Sequence, residues 1–366
     1  MFHFFHSAAD NFGTSHWWEL SLLVWVLVIL ALAFDFLNGL HDAANSIATV
    51  VSTRVLSPQM AVIWAAFFNF AAFVIFPTKV ASTIQSDIVD PKIVNEHVIA
   101  ATLIAACGWN VITWYWGLPT SSSHALIGGL IGSAFAQQFY WNVSDAELHG
   151  GDTFGFLRSG LVLVLVFIVL APLIGMALGA GIMLGVTWLC RRAAPRRVDK
   201  IFRRLQLLSA ACFSLGHGGN DAQKTMGIIT VLLVAASRAG AGFDAPDKVP
   251  TEVVLACHLA MGLGTLCGGW RIVKTMGQRI IRLRPVDGAC AETGAAMVLG
   301  LTTFVKGIPI STTHTITGAI VGVGSLKRFS AVRWGVAGRV VWAWIMTIPC
   351  AAMLAVLAWW VLRLLS

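Results

Sequence analysis

Charged residues are scarce in this chain of 366 residues, of which 11% are charged and 57% are hydrophobic. Soluble domains carry about 25% charged residues, so this chain has too little polar surface to fold as a water-soluble protein. Apolar runs of roughly 20 residues recur along the whole length and indicate membrane-spanning helices. The composition therefore excludes a soluble enzyme, a disulfide scaffold and a disordered regulator.

Three sequence features are missing, and each absence narrows the interpretation. None of the seven cysteines forms a CxxC pair, which favours small buried residues over a metal or redox site. No lysine or arginine precedes Arg54, so the first apolar run lacks the cationic region of a signal peptide and is predicted to be a retained helix. No nucleotide-binding loop is present, so ATP-driven transport would need a partner protein.

The apolar stretches predict an all-α polytopic membrane protein. Ten stretches are predicted to be helical: 18–53, 60–77, 97–116, 120–139, 158–190, 205–236, 252–270, 288–306, 314–326 and 340–364. The net charge of +8 does not indicate nucleic-acid binding, because the basic residues fall in short loops between these stretches. The 35 glycines predict closely packed or broken helices.

Two polar motifs occur twice, which indicates an internal duplication. Residues 38–45 (NGLHDAAN) and 217–224 (HGGNDAQK) align Asp42 with Asp221 at an offset of 179. Residues 117–124 (GLPTSSSH) and 307–314 (GIPISTTH) align at an offset of 190. Two matches in the same order favour two homologous halves.

The distribution of charge predicts that the halves are inverted relative to each other. We expect a first repeat at 1–190, a basic cytoplasmic linker at 191–204 and a second repeat at 205–366, each repeat with a broken helix and a re-entrant helical hairpin. With the N-terminus outside, 17 basic residues fall inside and six outside. Inverted repeats with broken helices are typical of secondary transporters.

Each hairpin tip, 117–124 and 307–314, must be buried in protein or line a wet cavity, because its backbone polar groups cannot face lipid. A helix that starts after the Gly-x-Pro of each tip would point hydroxyls and free N–H groups at that cavity, which suits a tetrahedral oxyanion. The candidate binding residues at the tips are Thr120, Ser121, Ser122, Ser123, Ser311, Thr312 and Thr313. The alternative is that these side chains only cap their helices.

Three other residues near the tips have more than one interpretation. His124 and His314 either carry protons, bind a metal ion or close each tip by a hydrogen bond to a backbone carbonyl, and we favour the last. Lys306 either attracts the anion or extends out to the membrane interface.

Asp42 and Asp221 are carboxylates inside apolar stretches, where a charge costs at least about 2.5 kcal/mol and is functional by default. Asn45 lies one helical turn after Asp42, and the equivalent position in the second motif is Lys224. Two aspartates and a bound anion require cations. We therefore predict that Asp42, Asn45, Asp221 and Lys224 bind substrate and coupling cation, with protons favoured over sodium because Lys224 competes with a metal ion.

At residues 36–45 and 216–224 and at the two tips, the chain resembles the PiT family of inorganic phosphate transporters. The resemblance implies inverted repeats, phosphate bound near the middle of the bilayer, and cation-driven import, often by a homodimer. It implies that Asp42, Asn45 and Asp221 are core site residues and that the tips hold phosphate.

Lys224 stands where the family's commonest second motif has asparagine. This departure resembles the bacterial branch that is taken to be proton-coupled and to move phosphate partly as a neutral complex with a divalent metal. We therefore expect a multi-pass protein of a bacterial inner membrane with no resident cofactor or metal.

Three other functions stay open at this point. Some members of the family carry sulfate, so another oxyanion is one alternative. The serines and histidine of each tip suggest an intramembrane serine hydrolase, although that chemistry needs a positioned nucleophile and an oxyanion hole rather than two inverted tips. A passive channel would give flux without cation dependence and would tolerate Asp42→Asn.

Overall fold

The structure is a computed structural model that describes residues 20–144, 156–238 and 248–365. Within these ranges the chain forms twelve α-helices, and the only paired extended backbone is an isolated bridge between Val89 and Leu157. The prediction of an all-α protein is confirmed.

The first half contains six helices, named in chain order. They are α1 (Leu22–Ser52), α2 (Pro58–Ala71), α3 (Lys79–Ser86), α4 (Glu96–Trp116), α5 (Ser122–Ser144) and α6 (Ser159–Leu189). The second half contains six more. Its helices are α7 (Pro195–Arg238), α8 (Thr251–Cys267), α9 (Trp270–Lys274), α10 (Pro285–Leu301), α11 (Thr312–Lys327) and α12 (Trp334–Leu365).

Five helices are long and apolar enough to cross a membrane, and two bent helix pairs would raise the number to seven within the described ranges. The five are α1, α4, α6, α10 with its extension to Val305, and α12. Many of their large apolar side chains are exposed, including Leu22, Leu184 and Leu357. Such surfaces suit a hydrocarbon solvent rather than water.

The prediction that the two aspartate motifs break their helices is wrong. Helix α1 runs without interruption through residues 38–45, and α7 runs through 217–224. The motif glycines allow close packing instead: a Cβ atom on Gly39 would lie 2.1 Å from the Met261 carbonyl oxygen, and one on Gly218 would lie 2.2 Å from that of Asn69. The two motif aspartates need no unwound backbone, because histidine, lysine and hydroxyl side chains supply their partners.

Each half does contain a bent helix, one element later than the sequence predicted. The segments Pro58–Val74 and Lys79–Ser86 meet at 79°, and Thr251–Cys267 and Trp270–Gly277 meet at 60°. The first break contains Pro77, which cannot donate a backbone hydrogen bond. The second contains Gly268 with a φ of 67°, a conformation that glycine adopts without strain.

The predicted linker 191–204 is helical from Pro195 onward, so most of it is the start of α7. Proline is favoured at a first helical position, and Arg203 pairs with Asp199 one turn earlier at 3.0 Å. Most of these residues are exposed, so the basic segment is a solvated helix end.

The two halves pack by exchanging equivalent contacts. Helix α5 packs on α12 of the other half, and α11 packs on α6. Gly128 and Gly132 meet the backbone of Ile348 and Ala352. At the equivalent positions, Gly318 and Gly322 meet the backbone of Pro172 and Met176. This reciprocity is what a duplicated, two-fold-related chain would produce.

Gly318→Ala is expected to destabilise the protein. A Cβ atom there would lie 2.1 Å from the Pro172 carbonyl oxygen, so α11 and α6 would have to separate. Overpacking of this kind costs about 1–3 kcal/mol. Gly181→Ala on α6 is the matched control, because nothing lies within 4 Å of its added Cβ. Thermal unfolding in detergent should show a lower midpoint for Gly318→Ala alone; equal midpoints would contradict the packing described here.

Candidate functional site

The two tips are built in the same way. Gly117 and Gly307 end their first arms with φ angles of 66° and 62°, and the second arms begin at Ser122 and Thr312. The Ser121 and Ser311 side-chain oxygens each accept a 3.2 Å hydrogen bond from the backbone N–H three residues on. Both serines therefore cap their helices, which was the simpler interpretation of the sequence.

Each tip is held by a cation from the bent helix of the opposite half. Arg271 donates to the Tyr115 carbonyl at 2.6 Å, and Lys79 donates to the Phe304 carbonyl at 2.9 Å. Because these carbonyls lie in the last turn before each tip, the cations also suit the negative end of the helix dipole. The tips are therefore fixed by contacts between the halves.

The tips meet at a pair of histidines. The rings of His124 and His314 lie 4.6 Å apart edge to face, and His314 stacks on Trp344 at 3.9 Å. His314 Nδ1 lies 3.4 Å from the Ile168 carbonyl oxygen on α6. The expected carbonyl bond is not found for His124, whose Nδ1 is buried without a partner among the described residues. The Trp344 indole donates to the Pro119 carbonyl of the first tip at 2.9 Å.

Helix α1 meets the second tip. Asn45 donates from its side-chain nitrogen to the hydroxyls of Thr312 at 3.3 Å and Thr313 at 2.9 Å. The Thr313 hydroxyl donates a long bond to Asp42 at 3.5 Å, and His41 Nδ1 lies 2.8 Å from the same carboxylate oxygen. Asp42 is therefore buried beside a histidine and a hydroxyl, with no lysine or arginine in ion-pair contact among the described residues.

Helix α7 joins both tips through Lys224. Its ammonium donates to Asp221 and to the Ser123 hydroxyl, both at 2.5 Å, and to the Ile310 carbonyl at 2.8 Å. The Thr312 hydroxyl donates to the other oxygen of Asp221 at 2.9 Å. The three protons of the ammonium are thus shared among its own helix, the first tip and the second tip.

The structure brings seven of the eleven predicted binding residues into one buried cluster, the central cluster: Asp42, Asn45, Ser123, Asp221, Lys224, Thr312 and Thr313. Four others lie beside it. Ser121 and Ser311 cap helices, and the Thr120 hydroxyl lies 3.3 Å from His41 Nε2. The Ser122 hydroxyl is buried without a hydrogen-bond partner among the described residues. The side chain of Lys306 lies outside the described residues.

The cluster also gathers ligands that suit a cation. Asp42, His217 and Asp221 offer ligand atoms that all lie within 4.8 Å of one another, the one such group of three in the described part of the chain. His217 Nε2 lies 3.0 Å from Asp221, and its Nδ1 lies 3.2 Å from the Ser46 hydroxyl. Carboxylate and imidazole ligands fit several divalent metals. The Lys224 ammonium already contacts Asp221, so it competes with any ion there.

The sequence interpretation missed three buried polar residues. His217 lies one turn before Asp221, a spacing that a continuous α7 would have indicated. Asp35 lies seven residues before Asp42 on the same face of α1. Glu292 lies inside the predicted arm 288–306 and accepts hydrogen bonds from three side chains, those of Thr49, Gln206 and Ser209.

Comparison with known proteins identifies the family. A family model described as the phosphate transporter family matches residues 38–355. The chain belongs to the phosphate transporter family. Two curated relatives, both described as probable low-affinity inorganic phosphate transporters, match nearly the whole chain. The one from Rhizobium meliloti is 52% identical and covers 93% of this chain and 96% of its own length. The one from Bacillus subtilis is 43% identical and covers 94% of this chain and 99% of its own length.

A solved structure supports the fold of this phosphate transporter family member. A chain described as the sodium-dependent phosphate transporter superposes with a TM-score of 0.79 and 23% identity, covering 94% of this chain and 100% of its own. The resemblance to inorganic phosphate transporters drawn from the motifs is confirmed. The chain is a multi-pass membrane protein of a family of transporters, which removes the basis for the serine hydrolase alternative.

Proposed function

We propose that this protein is a secondary active transporter that imports inorganic phosphate together with cations. The observation that carries the proposal is the Lys224 ammonium, which is buried between the Ser123 hydroxyl of one helix start and the Ile310 carbonyl before the other. Helix starts with free N–H groups and an ammonium favour a tetrahedral anion with several acceptor oxygens. The family and the relatives from Rhizobium meliloti and Bacillus subtilis support phosphate as that anion.

Phosphate binding requires the central cluster to rearrange. The donors of Asn45, Lys224 and Thr312 are engaged with other protein groups. A phosphate oxygen would take the place of the Ile310 carbonyl or the Asp221 carboxylate at the ammonium. Because each lost hydrogen bond is replaced by one to a charged ligand, the exchange is close to balanced.

Charge balance supports coupling to cations. Asp42 and Asp221 carry two negative charges against one on Lys224, and phosphate adds one or two more. Such a cluster in a low-dielectric interior is unfavourable without further cations. The contact between Lys224 and Asp221 supports protons over sodium, because the ammonium occupies a place that a metal ion would need. Phosphate entering as a neutral complex with a divalent metal would reduce the same charge.

The proposed topology is two inverted repeats, 1–190 and 205–366, joined by the basic segment 191–204. The exchanged helix contacts support a duplication, and the charge distribution supports an N-terminus on the outside. The relatives from Rhizobium meliloti and Bacillus subtilis support a bacterial inner membrane. Assembly as a homodimer rests on the resemblance to the PiT family.

Uptake into proteoliposomes tests the proposal. Labelled phosphate uptake by purified protein is compared under an imposed proton gradient and an imposed sodium gradient, each with and without magnesium and excess sulfate. We expect uptake driven by the proton gradient and resistant to sulfate. Uptake that needs sodium would contradict proton coupling, and sulfate movement without phosphate movement would contradict the substrate.

Thr312→Val is expected to impair phosphate transport. Its hydroxyl accepts from Asn45 and donates to Asp221, so the change removes the link between α1 and α7 at the tip. A hydrogen bond to a charged group contributes about 1.5–3 kcal/mol, which corresponds to a loss of about 10–150-fold in transport efficiency. Thr317→Val on the same helix is the control, because its buried hydroxyl has no partner among the described residues. Equal losses in both variants would contradict a specific role for Thr312.

A further inference from the structure

A further carboxylate, Asp35, is buried in α1 outside the central cluster. It lies seven residues before Asp42, which places it on the same helix face and about 10 Å further along the axis. Its solvent exposure is 0%, and it makes no ion pair within the described ranges. Neither of its carboxyl oxygens has a hydrogen-bond partner among the described residues.

Three polar side chains face Asp35, and none of them is a cation. The side chains that face it are Asn38 on α1, Thr225 on α7 and Cys257 on α8. The Asn38 carbonyl oxygen and the Thr225 hydroxyl are themselves buried without partners in the described part of the chain. A protonated Asp35 can donate to the Asn38 carbonyl oxygen and accept from the Thr225 hydroxyl, so a neutral carboxyl suits these neighbours without a cation.

The charges around Asp35 also favour its neutral carboxyl form. An ionised Asp35 would be an unpaired charge inside protein and lipid, which is strongly unfavourable. The ionisable groups that act on it within the described residues are Asp221 on α7 and Cys257 on α8, and neither is a cation. A protonated Asp35 avoids this cost, and it lies close to a cluster that must balance the charge of an anion.

The position of Asp35 along α1 suits entry from one side of the membrane. Helix α1 ends at Ser52, and there the Arg54 carbonyl accepts a 3.0 Å hydrogen bond from Arg203 of the basic segment. Asp35 lies on the other side of Asp42 from this basic end. In the proposed topology the basic end is cytoplasmic, so Asp35 lies towards the outside.

We propose that Asp35 is the residue that takes up the coupling proton for phosphate import. The inference rests on the proposed function and names the group that couples it. The carboxylate oxygen binds a proton from water on the outer side while phosphate enters the central cluster. The same O–H bond breaks when the site opens inward, and the proton passes to water there.

Two assays on the same proteoliposomes test the proposal. One measures accumulation of labelled phosphate under an imposed gradient of one pH unit, and the other measures exchange of labelled for unlabelled phosphate without a gradient. The variants are Asp35→Asn, which mimics the neutral carboxyl, and Asp35→Glu, which keeps a titratable group. Asp90→Asn is the control for loss of an acidic residue, since Asp90 pairs with Arg158 near the surface.

A gradient of one pH unit gives about tenfold accumulation per coupled proton, because it is worth about 1.4 kcal/mol. We expect this accumulation from wild-type protein, Asp35→Glu and Asp90→Asn. Asp35→Asn should exchange phosphate as wild-type protein does but accumulate none. Exchange also serves as the test of folding, because an unfolded variant would lose both activities.

Other outcomes overturn the inference in distinguishable ways. Asp35→Asn that accumulates phosphate like wild-type protein would show that the proton binds elsewhere. Loss of exchange together with accumulation would make Asp35 a structural or substrate-binding residue. Wild-type uptake that responds only to sodium would overturn the proton site and leave phosphate transport standing. Wild-type protein that neither accumulates nor exchanges phosphate would overturn the proposed function itself, and the inference with it.

Discussion

Asp221→Asn is expected to abolish phosphate uptake and to destabilise the protein strongly. The change leaves the buried Lys224 ammonium with neutral oxygens only, those of the new amide, the Ser123 hydroxyl and the Ile310 carbonyl. Breaking a buried ion pair by removing one partner costs about 3–5 kcal/mol. Whole domains are stable by only about 5–15 kcal/mol, so the midpoint of thermal unfolding should fall by many degrees.

The double variant Asp221→Asn with Lys224→Met separates stability from transport. Replacing both charges removes the unpaired ammonium, and buried ion pairs are often replaced by apolar groups at little cost. We expect the midpoint of thermal unfolding to recover while phosphate uptake stays absent. A single Asp221→Asn variant that melts like wild-type protein would contradict the buried ion pair.

Asp42→Asn is expected to abolish coupled uptake while the protein stays folded. Asp42 contacts His41 at 2.8 Å and Thr313 at 3.5 Å, and an asparagine can keep both contacts without leaving a lysine unpaired. What the variant loses is the negative charge that a coupled cation would balance. Removing a charge from a buried polar contact costs about 2–5 kcal/mol, so coupled uptake should drop by at least about 30-fold.

The same variant distinguishes a carrier from a passive channel. A channel needs no carboxylate to couple fluxes, so its phosphate flux would survive Asp42→Asn. Uptake is measured with and without an imposed gradient, beside an unfolding curve in detergent. Persisting flux that ignores the gradient in both wild-type protein and Asp42→Asn would contradict secondary active transport.

Local sequence predicted the tips well because their chemistry is local. The arm predicted at 97–116 corresponds to α4 at Glu96–Trp116, and the tip serines begin α5 as expected. A Gly-x-Pro followed by hydroxyl residues ends one helix and starts another by backbone preference alone. The duplicated motifs likewise located Asp42 and Asp221 without any knowledge of packing.

The predicted breaks at the two aspartate motifs were wrong for a physical reason that no local sequence pattern contains. A glycine permits either unwinding or the close approach of another backbone. The backbones of Met261 and Asn69 approach Gly39 and Gly218 closely, so the glycines serve packing rather than unwinding. Both partners lie more than a hundred residues away along the chain. Because the sequence analysis predicted a break before Asp42, it did not recognise the helical spacing from Asp35 to Asp42.

Glu292 was missed because its partners converge only in the folded chain. Thr49 comes from α1, and Gln206 and Ser209 come from α7. In the sequence, Glu292 is a single acidic residue in an apolar arm with no motif around it. The contact between His124 and His314 likewise depends on the two tips meeting, which sequence spacing cannot specify.

The location of a bound phosphate analogue tests the central claim most directly. Crystals of the protein grown with arsenate would show the arsenic atom by anomalous scattering. We predict a single strong peak between the two tips, in contact with the Lys224 ammonium and the Ser123 and Thr313 hydroxyls, which all belong to the central cluster. A peak elsewhere in the protein, in a preparation that transports phosphate, would contradict the site described here.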